Sequence, residues 1–185
     1  MSAPFIAQFF KKQLDDVLFQ TDILFGNESE AEAYATAAKY PEPKNIADIA
    51  RRIALQPKLN PTRPRVVIFT RGAESTILVS SKEPDQPQTF PVDKLDDSQI
   101  VDTNGAGDAF AGGVLAALVA GKDFGKAVLA GHALAQASIR QVNLSFPFWF
   151  RMSLTLSVVG WSPIPLAEDR HSLDVSLVLY PRIHP

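Results

Sequence analysis

The chain has 185 residues, of which 46% are apolar and 21% are charged, and its formal net charge at pH 7 is -2. This length is sufficient for one domain with a hydrophobic core, and the near-neutral charge excludes the basic character typical of nucleic-acid-binding proteins. The absence of cysteine excludes disulfide bonds and thiolate metal sites and is compatible with a reducing compartment. Because the sequence opens without a secretory signal pattern, we expect a cytoplasmic or nuclear location.

The first quarter of the chain is predicted to form one long helix, a strand and two further helices. Ser2 is expected to cap the first helix, with Pro4 in its first turn and an apolar stripe along it. The stripe consists of Phe5, Phe9, Leu14, Val17 and Leu18. The pattern then predicts a strand over residues 21–25 and helices over residues 28–39 and 44–55.

Strand patterns dominate the middle of the chain. A proline-rich loop over residues 56–64 precedes strands over 65–70 and 75–81, which are joined by a turn around Gly72. Residues 82–91 are polar and contain prolines, so we expect an irregular excursion there, and residues 98–101 are expected to be extended. Helices are predicted over 106–119 and 124–142. This alternation favours an α/β layered fold with a largely parallel sheet.

Residues 101–113, which read VDTNGAGDAFAGG, carry the most specific pattern in the chain. Glycines at the start of a helix let an anion approach free backbone N–H groups, and the helix dipole favours negative charge there. A carboxylate such as Asp108 can take the proton from a hydroxyl that attacks phosphorus. Equally, Asp108 could simply offset the helix dipole while the glycines form a tight turn. The residues alone give these two interpretations similar weight.

Asn27 and Glu30 have the spacing of a capping box, in which each side chain bonds the backbone of the other residue. Carboxamide and carboxylate oxygens can also hold the water shell of Mg²⁺ at the mouth of a parallel sheet. From these residues alone, the capping box is the better interpretation.

Thr70 and Gly72 follow a predicted strand, where open α/β sheets present their ligand loops. A simple β-turn is about as good an interpretation of this pair. We assign Arg71 no role, and we expect Arg63 and Arg65 to be solvated charges beside the strand.

His132 lies among apolar residues of a predicted helix, where a lone histidine is more often a packing residue than a functional one. Asp102 and Thr103 are expected to satisfy backbone amides of the loop that precedes Asp108.

The motif DTNGAGD, followed by an aromatic residue and a Gly-Gly pair, resembles the signature of the ribokinase-like (PfkB) family of carbohydrate and nucleoside kinases. Four further blocks resemble the branch of that family that phosphorylates adenosine. They are SAPFI at residues 2–6, ILFGNESEA at 23–31, VIFTRG at 67–72 and GHALA at 131–135. The resemblance covers residues 1–142 and implies a three-layer α/β/α ribokinase-like fold.

The resemblance also implies a chemistry and a set of site residues. It implies transfer of the γ-phosphoryl group of ATP to adenosine, with Asp108 as the catalytic base and Mg²⁺ held by Asn27 and Glu30 through water. The residues that it implies for ATP are Thr70, Gly72, Asn104, Gly105, Ala106, Gly107 and His132.

Two departures from the family leave the activity open. The N-terminal half of the family, with its lid domain, is expected to be missing, and residues 143–185 match nothing in the family and are expected to form a divergent tail. The apolar run over residues 144–161 is a poor membrane span because Pro147 and Arg151 interrupt it. The alternatives are therefore an active nucleoside kinase, a non-catalytic ATP-binding fragment or association module, and a sugar kinase. We expect small-molecule substrates, no nucleic-acid or membrane partner, and self-association through exposed apolar surface.

Overall fold

The computed structural model describes residue 1 and residues 3–140 of the chain. Within these residues, six helices and four strands are joined by short loops. In chain order the elements are α1 (Pro4–Phe9), α2 (Lys11–Leu18), β1 (Ile23–Asn27), α3 (Glu28–Ala37), α4 (Ile46–Ala54), β2 (Val66–Thr70), β3 (Thr76–Ser80), β4 (Glu83–Phe90), a 3₁₀ turn (Asp97–Gln99), α5 (Ala106–Val119) and α6 (Phe124–Ile139).

The four strands form one sheet in the order β1-β2-β3-β4. Only the β1–β2 pair is parallel in this part of the chain, because β2–β3 and β3–β4 are antiparallel neighbours. The prediction of a largely parallel sheet is therefore wrong for the described residues. The cause is the short connection around Gly72, since a tight turn returns the chain antiparallel whereas a parallel pair needs a long crossover.

Helices cover both faces of the sheet, which confirms the three-layer α/β/α arrangement. The side chains of β2 alternate between two separate cores: Val67 and Phe69 face the layer of α3 and α4, whereas Val66 and Ile68 face that of α5 and α6. Because β2 is buried on both faces, its sequence is a continuous apolar run and does not alternate with polar residues.

The predicted long N-terminal helix is instead two short helices that break at Phe10. The residue that precedes α1 is Ala3, which makes no side-chain cap, and Ser2 lies outside the described residues. The predicted apolar stripe is not a buried face, because Phe5, Phe9 and Val17 are each more than half exposed and Leu18 is the fully buried member.

Two other stretches differ from the prediction. Residues 83–90 form the edge strand β4, although the stretch contains Pro84 and Pro87. Both prolines lie between Glu83 and Gln88, where the register with β3 shifts, so they replace no required ladder hydrogen bond. The predicted extended segment over residues 98–101 is wrong for its first half, because the 3₁₀ turn occupies residues 98 and 99, whereas Ile100 has an extended backbone.

The last helix, α6, ends at Ile139, and the predicted tail over residues 143–185 lies outside the described residues. Among the described residues, no helix has the length and apolar character needed to cross a membrane.

Candidate functional site

The carboxyl ends of β1 and β2 lie side by side at one edge of the sheet. Asn27 and Thr70, the last residues of these strands, are register partners in the parallel pair. The Thr70 hydroxyl donates a hydrogen bond to the carbonyl of Gly26 at 3.4 Å. Gly72 follows in an exposed turn with φ of 55°, a backbone conformation that favours glycine. Open α/β sheets bind ligands at this kind of edge.

Asn27 and Glu30 form the capping box that their spacing predicted. The Glu30 amide donates to Asn27 Oδ1 at 2.9 Å, and the Asn27 amide donates to Glu30 Oε2 at 3.0 Å. Glu30 is only 4% exposed, and burial raises the pKa of its carboxyl. The hydrogen bond from the Asn27 amide and the charge of the N-terminus lower this pKa, and the negative charge of Asp108 raises it slightly.

Because Gly26 has no side chain, the Glu30 carboxylate can lie against the backbone at the end of β1. A Cβ at this position would lie 2.9 Å from the Phe69 ring and 3.1 Å from Glu30 Oε2. Any side chain at residue 26 would therefore displace Glu30 or the ring beneath it.

Residues 102–108, which comprise the loop before α5 and the first turn of that helix, are called the glycine loop below. The Asn104 amide donates to Asp102 Oδ1 at 2.8 Å, which confirms the prediction that Asp102 satisfies a loop amide. Gly105 follows with φ of 75°, a left-handed conformation that turns the chain into the helix. The Asp102 side chain thus bonds within the loop, whereas the Asn104 side chain is exposed.

No side chain in the described part of the chain caps α5. The Ala106 amide donates to the Thr103 carbonyl at 3.3 Å, so it is less free than the sequence suggested. The amides of Gly107 and Asp108 belong to the first helical turn, where the helix itself offers no acceptor. Both residues are exposed, so this turn presents N–H groups and a carboxylate to the same region of solvent.

His132 is buried in the core between α5, α6 and the start of β3, the strand that begins where β2 ends. It is 9% exposed, and its Nε2 shares a hydrogen bond of 2.8 Å with the Thr76 hydroxyl. Its ring packs against that of Phe110 with centroids 5.5 Å apart, and burial lowers the pKa of its imidazole. The surroundings are those of a satisfied packing histidine, and a contact with adenine stays a prediction.

The oxygen donors at this edge fit Mg²⁺ that keeps its own water shell. The capping box already uses one oxygen each of Asn27 and Glu30, and no group of three or more metal-ligating side chains occurs among the described residues. Glu28 Oε2 is buried and has no hydrogen-bond partner within the described residues. An all-protein cage is therefore not formed here, whereas contact through water fits the donors present.

Arg65 was predicted to be a solvated charge, and that prediction is wrong. Its side chain is fully buried and donates hydrogen bonds to the carbonyls of five residues. These are Leu18, Thr21, Ile53, Gln56 and Pro57. Arg65 thereby ties the end of α2, the start of β1 and the end of α4 to β2. Arg63 is 73% exposed, as predicted.

Phe110 was also not identified from the sequence as a residue that joins three elements, α5, β1 and α6. Its ring makes an edge contact with Phe25 of β1, with centroids 6.3 Å apart, and the ring also rests on Gly131 and His132 of α6. Phe110 follows Asp108 by two residues, and Phe25 precedes Asn27 by two. The only signal in the sequence is the pair of glycines, Gly113 and Gly131, that let the two helices approach closely.

The fold and the glycine loop together are those of the ribokinase-like class of proteins. The model of the pfkB family carbohydrate kinases matches residues 1–150, and the chain belongs to that family.

The chain is similar to adenosine kinases in sequence and in structure. It is 57% identical over 145 residues to the adenosine kinase of Schizophyllum commune, which covers 78% of this chain and 42% of the relative. The adenosine kinase of Schistosoma mansoni in complex with 2-fluoroadenosine has a TM-score of 0.75 at 38% identity, covering 79% and 42% of the two chains. The Anopheles gambiae adenosine kinase in complex with P1,P4-di(adenosine-5) tetraphosphate has a TM-score of 0.74 at 36% identity, covering 88% and 44%. The chain thus spans about two fifths of the length of these relatives.

Proposed function

We propose that this chain supplies the triphosphate-binding and catalytic part of an adenosine kinase, which converts ATP and adenosine to ADP and AMP in purine nucleoside salvage. The observation that carries the proposal is the position of Asp108, in the exposed and uncapped first turn of α5, which follows the glycine-containing loop. The relatives at high identity and the nucleoside and nucleotide complexes named for the solved structures support it.

In the proposed reaction, the 5′-hydroxyl oxygen of adenosine forms a bond to the γ-phosphorus of ATP. The bond from that phosphorus to the β,γ-bridging oxygen breaks, ADP leaves, and the hydroxyl proton passes to the Asp108 carboxylate. The backbone amides of Gly105, Ala106 and Gly107 stabilise negative charge on the phosphoryl oxygens.

The remaining site residues are proposed to hold the nucleotide. Thr70, Gly72 and Asn104 contact the phosphates, whereas the adenine contact that the resemblance implies for His132 is left out of the proposal, because its Nε2 atom is already bonded to Thr76. Asn27 and Glu30 would hold Mg²⁺ through its waters, and the ion would supply positive charge that offsets the charge of the triphosphate.

A second candidate is a non-catalytic ATP-binding or association module. It is favoured by apolar side chains that are left exposed, such as Phe9 at 76% and Val119 at 91%. Such surface promotes self-association, so sedimentation of the purified chain at rising concentration should show oligomers. A concentration-independent monomer would count against this candidate.

The test of the proposed function is transfer of radiolabelled γ-phosphate from MgATP to adenosine, with ribose as the alternative acceptor. Labelled AMP that depends on Asp108 supports the proposal. Labelled ribose phosphate would instead identify a sugar kinase, and binding of MgATP without transfer to either acceptor would favour the non-catalytic module.

A further inference from the structure

Helix α6 holds the glycine loop at its entry. The amides of Val101 and Asp102 both donate to the carbonyl of Ile139, at 2.9 and 3.1 Å. Ile139 is the last residue of α6, so the end of that helix fixes where the chain enters the loop.

The same helix supports the exit of the loop through Phe110. A Cβ on Gly131 would lie 2.7 Å from Cδ2 of the Phe110 ring, so the ring sits directly on the backbone of α6. The ring also packs on His132, with an interplanar angle of 36°. Because Phe110 lies on α5 two residues after Asp108, a rotation of this ring and its helix would change the direction of the Asp108 side chain.

The His132 ring is itself fixed from the sheet. Its bond to the Thr76 hydroxyl joins α6 to β3, and Thr76 is 1% exposed. A buried polar pair with its partners satisfied specifies one arrangement, because a shift of either group would leave a buried polar atom unpaired.

We propose that the Thr76–His132 pair is a positioning device for the glycine loop, acting through Phe110 on the first turn of α5. The hydrogen bond of the pair fixes the His132 ring, against which the Phe110 ring packs. Phe110 in turn fixes the orientation of the helical turn that contains Asp108. The role of the loop in phosphate transfer rests on the proposed function, but the mechanical coupling does not. This role differs from a contact with adenine, since the Nε2 atom of His132 is already bonded inside the core.

The test measures the rates of amide hydrogen exchange of the full chain without ligand and compares the wild type with the variants Thr76→Val and Thr76→Ser. Valine keeps the shape but removes the hydroxyl, whereas serine keeps the hydroxyl. We expect Thr76→Val to accelerate exchange over residues 102–110 by roughly three- to tenfold, the usual effect of one lost buried hydrogen bond. Thr76→Ser should stay close to the wild type.

Tyr34→Phe is the matched control, because it removes a buried hydroxyl bonded to Asp15 in the core on the other face of the sheet. Equal acceleration of residues 102–110 in this control, or no local change in Thr76→Val, would overturn the proposal. If Thr76→Val does not fold, Phe110→Leu instead removes the ring that packs on His132, and unchanged exchange in that variant would overturn the proposal equally.

A binding measurement separates positioning from an adenine contact. If the wild type binds MgATP, a positioning role predicts that Thr76→Val lowers the affinities for MgATP and for Mg-tripolyphosphate by the same factor. Tripolyphosphate has no base, so its affinity cannot depend on a contact with adenine. A loss confined to MgATP would overturn the proposal. A wild type that binds neither would contradict the proposed function, while the exchange result would still decide the positioning role.

Discussion

The charges of Glu30 and Asp108 are coupled: burial is the main cause that raises the pKa of the Glu30 carboxyl, and the negative charge of Asp108 adds a smaller raising effect. Glu30 lies in the first turn of α3, directly after β1, and Asp108 lies in the first turn of α5, which also packs against β1. Two acidic groups with different exposure can take different roles: the buried one orients backbone and solvent, and the exposed one is accessible to a substrate hydroxyl.

Replacing Asp108 by asparagine should separate binding from chemistry. Asparagine keeps the size of the side chain but cannot accept the hydroxyl proton at neutral pH. We expect phosphorylation of adenosine to fall by a factor on the order of 10² to 10⁴, the usual contribution of a general base, while MgATP binding is retained. The measurement is label transfer together with ligand-dependent unfolding. Undiminished turnover in the variant would remove Asp108 from the mechanism.

The close approach of α5 and α6 should make neighbouring glycines respond in opposite directions. A Cβ at Gly113 would lie 2.8 Å from the carbonyl oxygen of Ala130 and 2.9 Å from Cα of Gly131, whereas a Cβ at Gly112 meets nothing within 4 Å. Gly113→Ala should therefore lower the free energy of unfolding by about 1–3 kcal/mol. Gly112→Ala should be neutral or raise it by up to about 1 kcal/mol. Urea unfolding of both variants measures this, and equal effects would show that the helices do not meet at Gly113.

Removing the Arg65 side chain should strongly destabilise the fold, because five buried or half-buried carbonyls lose their donor. We expect Arg65→Met to lower the free energy of unfolding by more than about 3 kcal/mol. Arg65→Lys should recover only part of this, since an ammonium has three donors where the guanidinium has five. Arg63→Met is the control, and its effect should stay within about 0.5 kcal/mol, as is usual for an exposed position. Similar losses at the two arginines would contradict the buried role of Arg65.

The buried Glu30 carboxyl should make stability depend on pH. Its pKa in the folded chain is raised above the ordinary value of 4.5, so the native state binds this proton more readily than the unfolded state. Ionisation therefore destabilises the native state as the pH rises from 4.5 through the raised pKa, and the loss is complete above it.

Glu30→Gln is neutral at every pH and keeps an oxygen for the Asn27 amide. The free energy of unfolding of this variant, relative to that of the wild type, should increase as the pH rises through that window. At higher pH the difference should no longer change. Chemical unfolding at a series of pH values measures the difference, with Glu32→Gln on the same helix as the control. A difference that does not change with pH would contradict the pKa shift of Glu30.

The features that local sequence rules control were predictable. The helix over residues 106–119 and the Asn27–Glu30 capping box were both predicted correctly, because a helix start and its caps depend on a few adjacent residues. Edge strand β4 was missed because its two prolines argue against a strand unless a bulge with the neighbouring strand accommodates them.

Features that depend on distant partners were not predictable. Arg65 directly follows Arg63 and Pro64 at the end of a proline-rich loop, where a solvated side chain is expected. The carbonyls that it bonds come from segments 8 to 47 residues away in the chain. The junction at Phe110 likewise requires the crossing of α5 and α6. In the candidate site, the sequence indicated the residues that start helices and end strands, whereas only the fold shows which of them meet.

Thermal unfolding of the chain with and without MgATP tests the central claim, that the glycine loop is a triphosphate site, most directly. A ligand at about 100 times its Kd adds roughly 2.7 kcal/mol to the stability of the native state. We predict a clear rise in Tm with MgATP that is lost when Mg²⁺ is omitted. A cooperative transition whose Tm is the same with and without MgATP would contradict the claim.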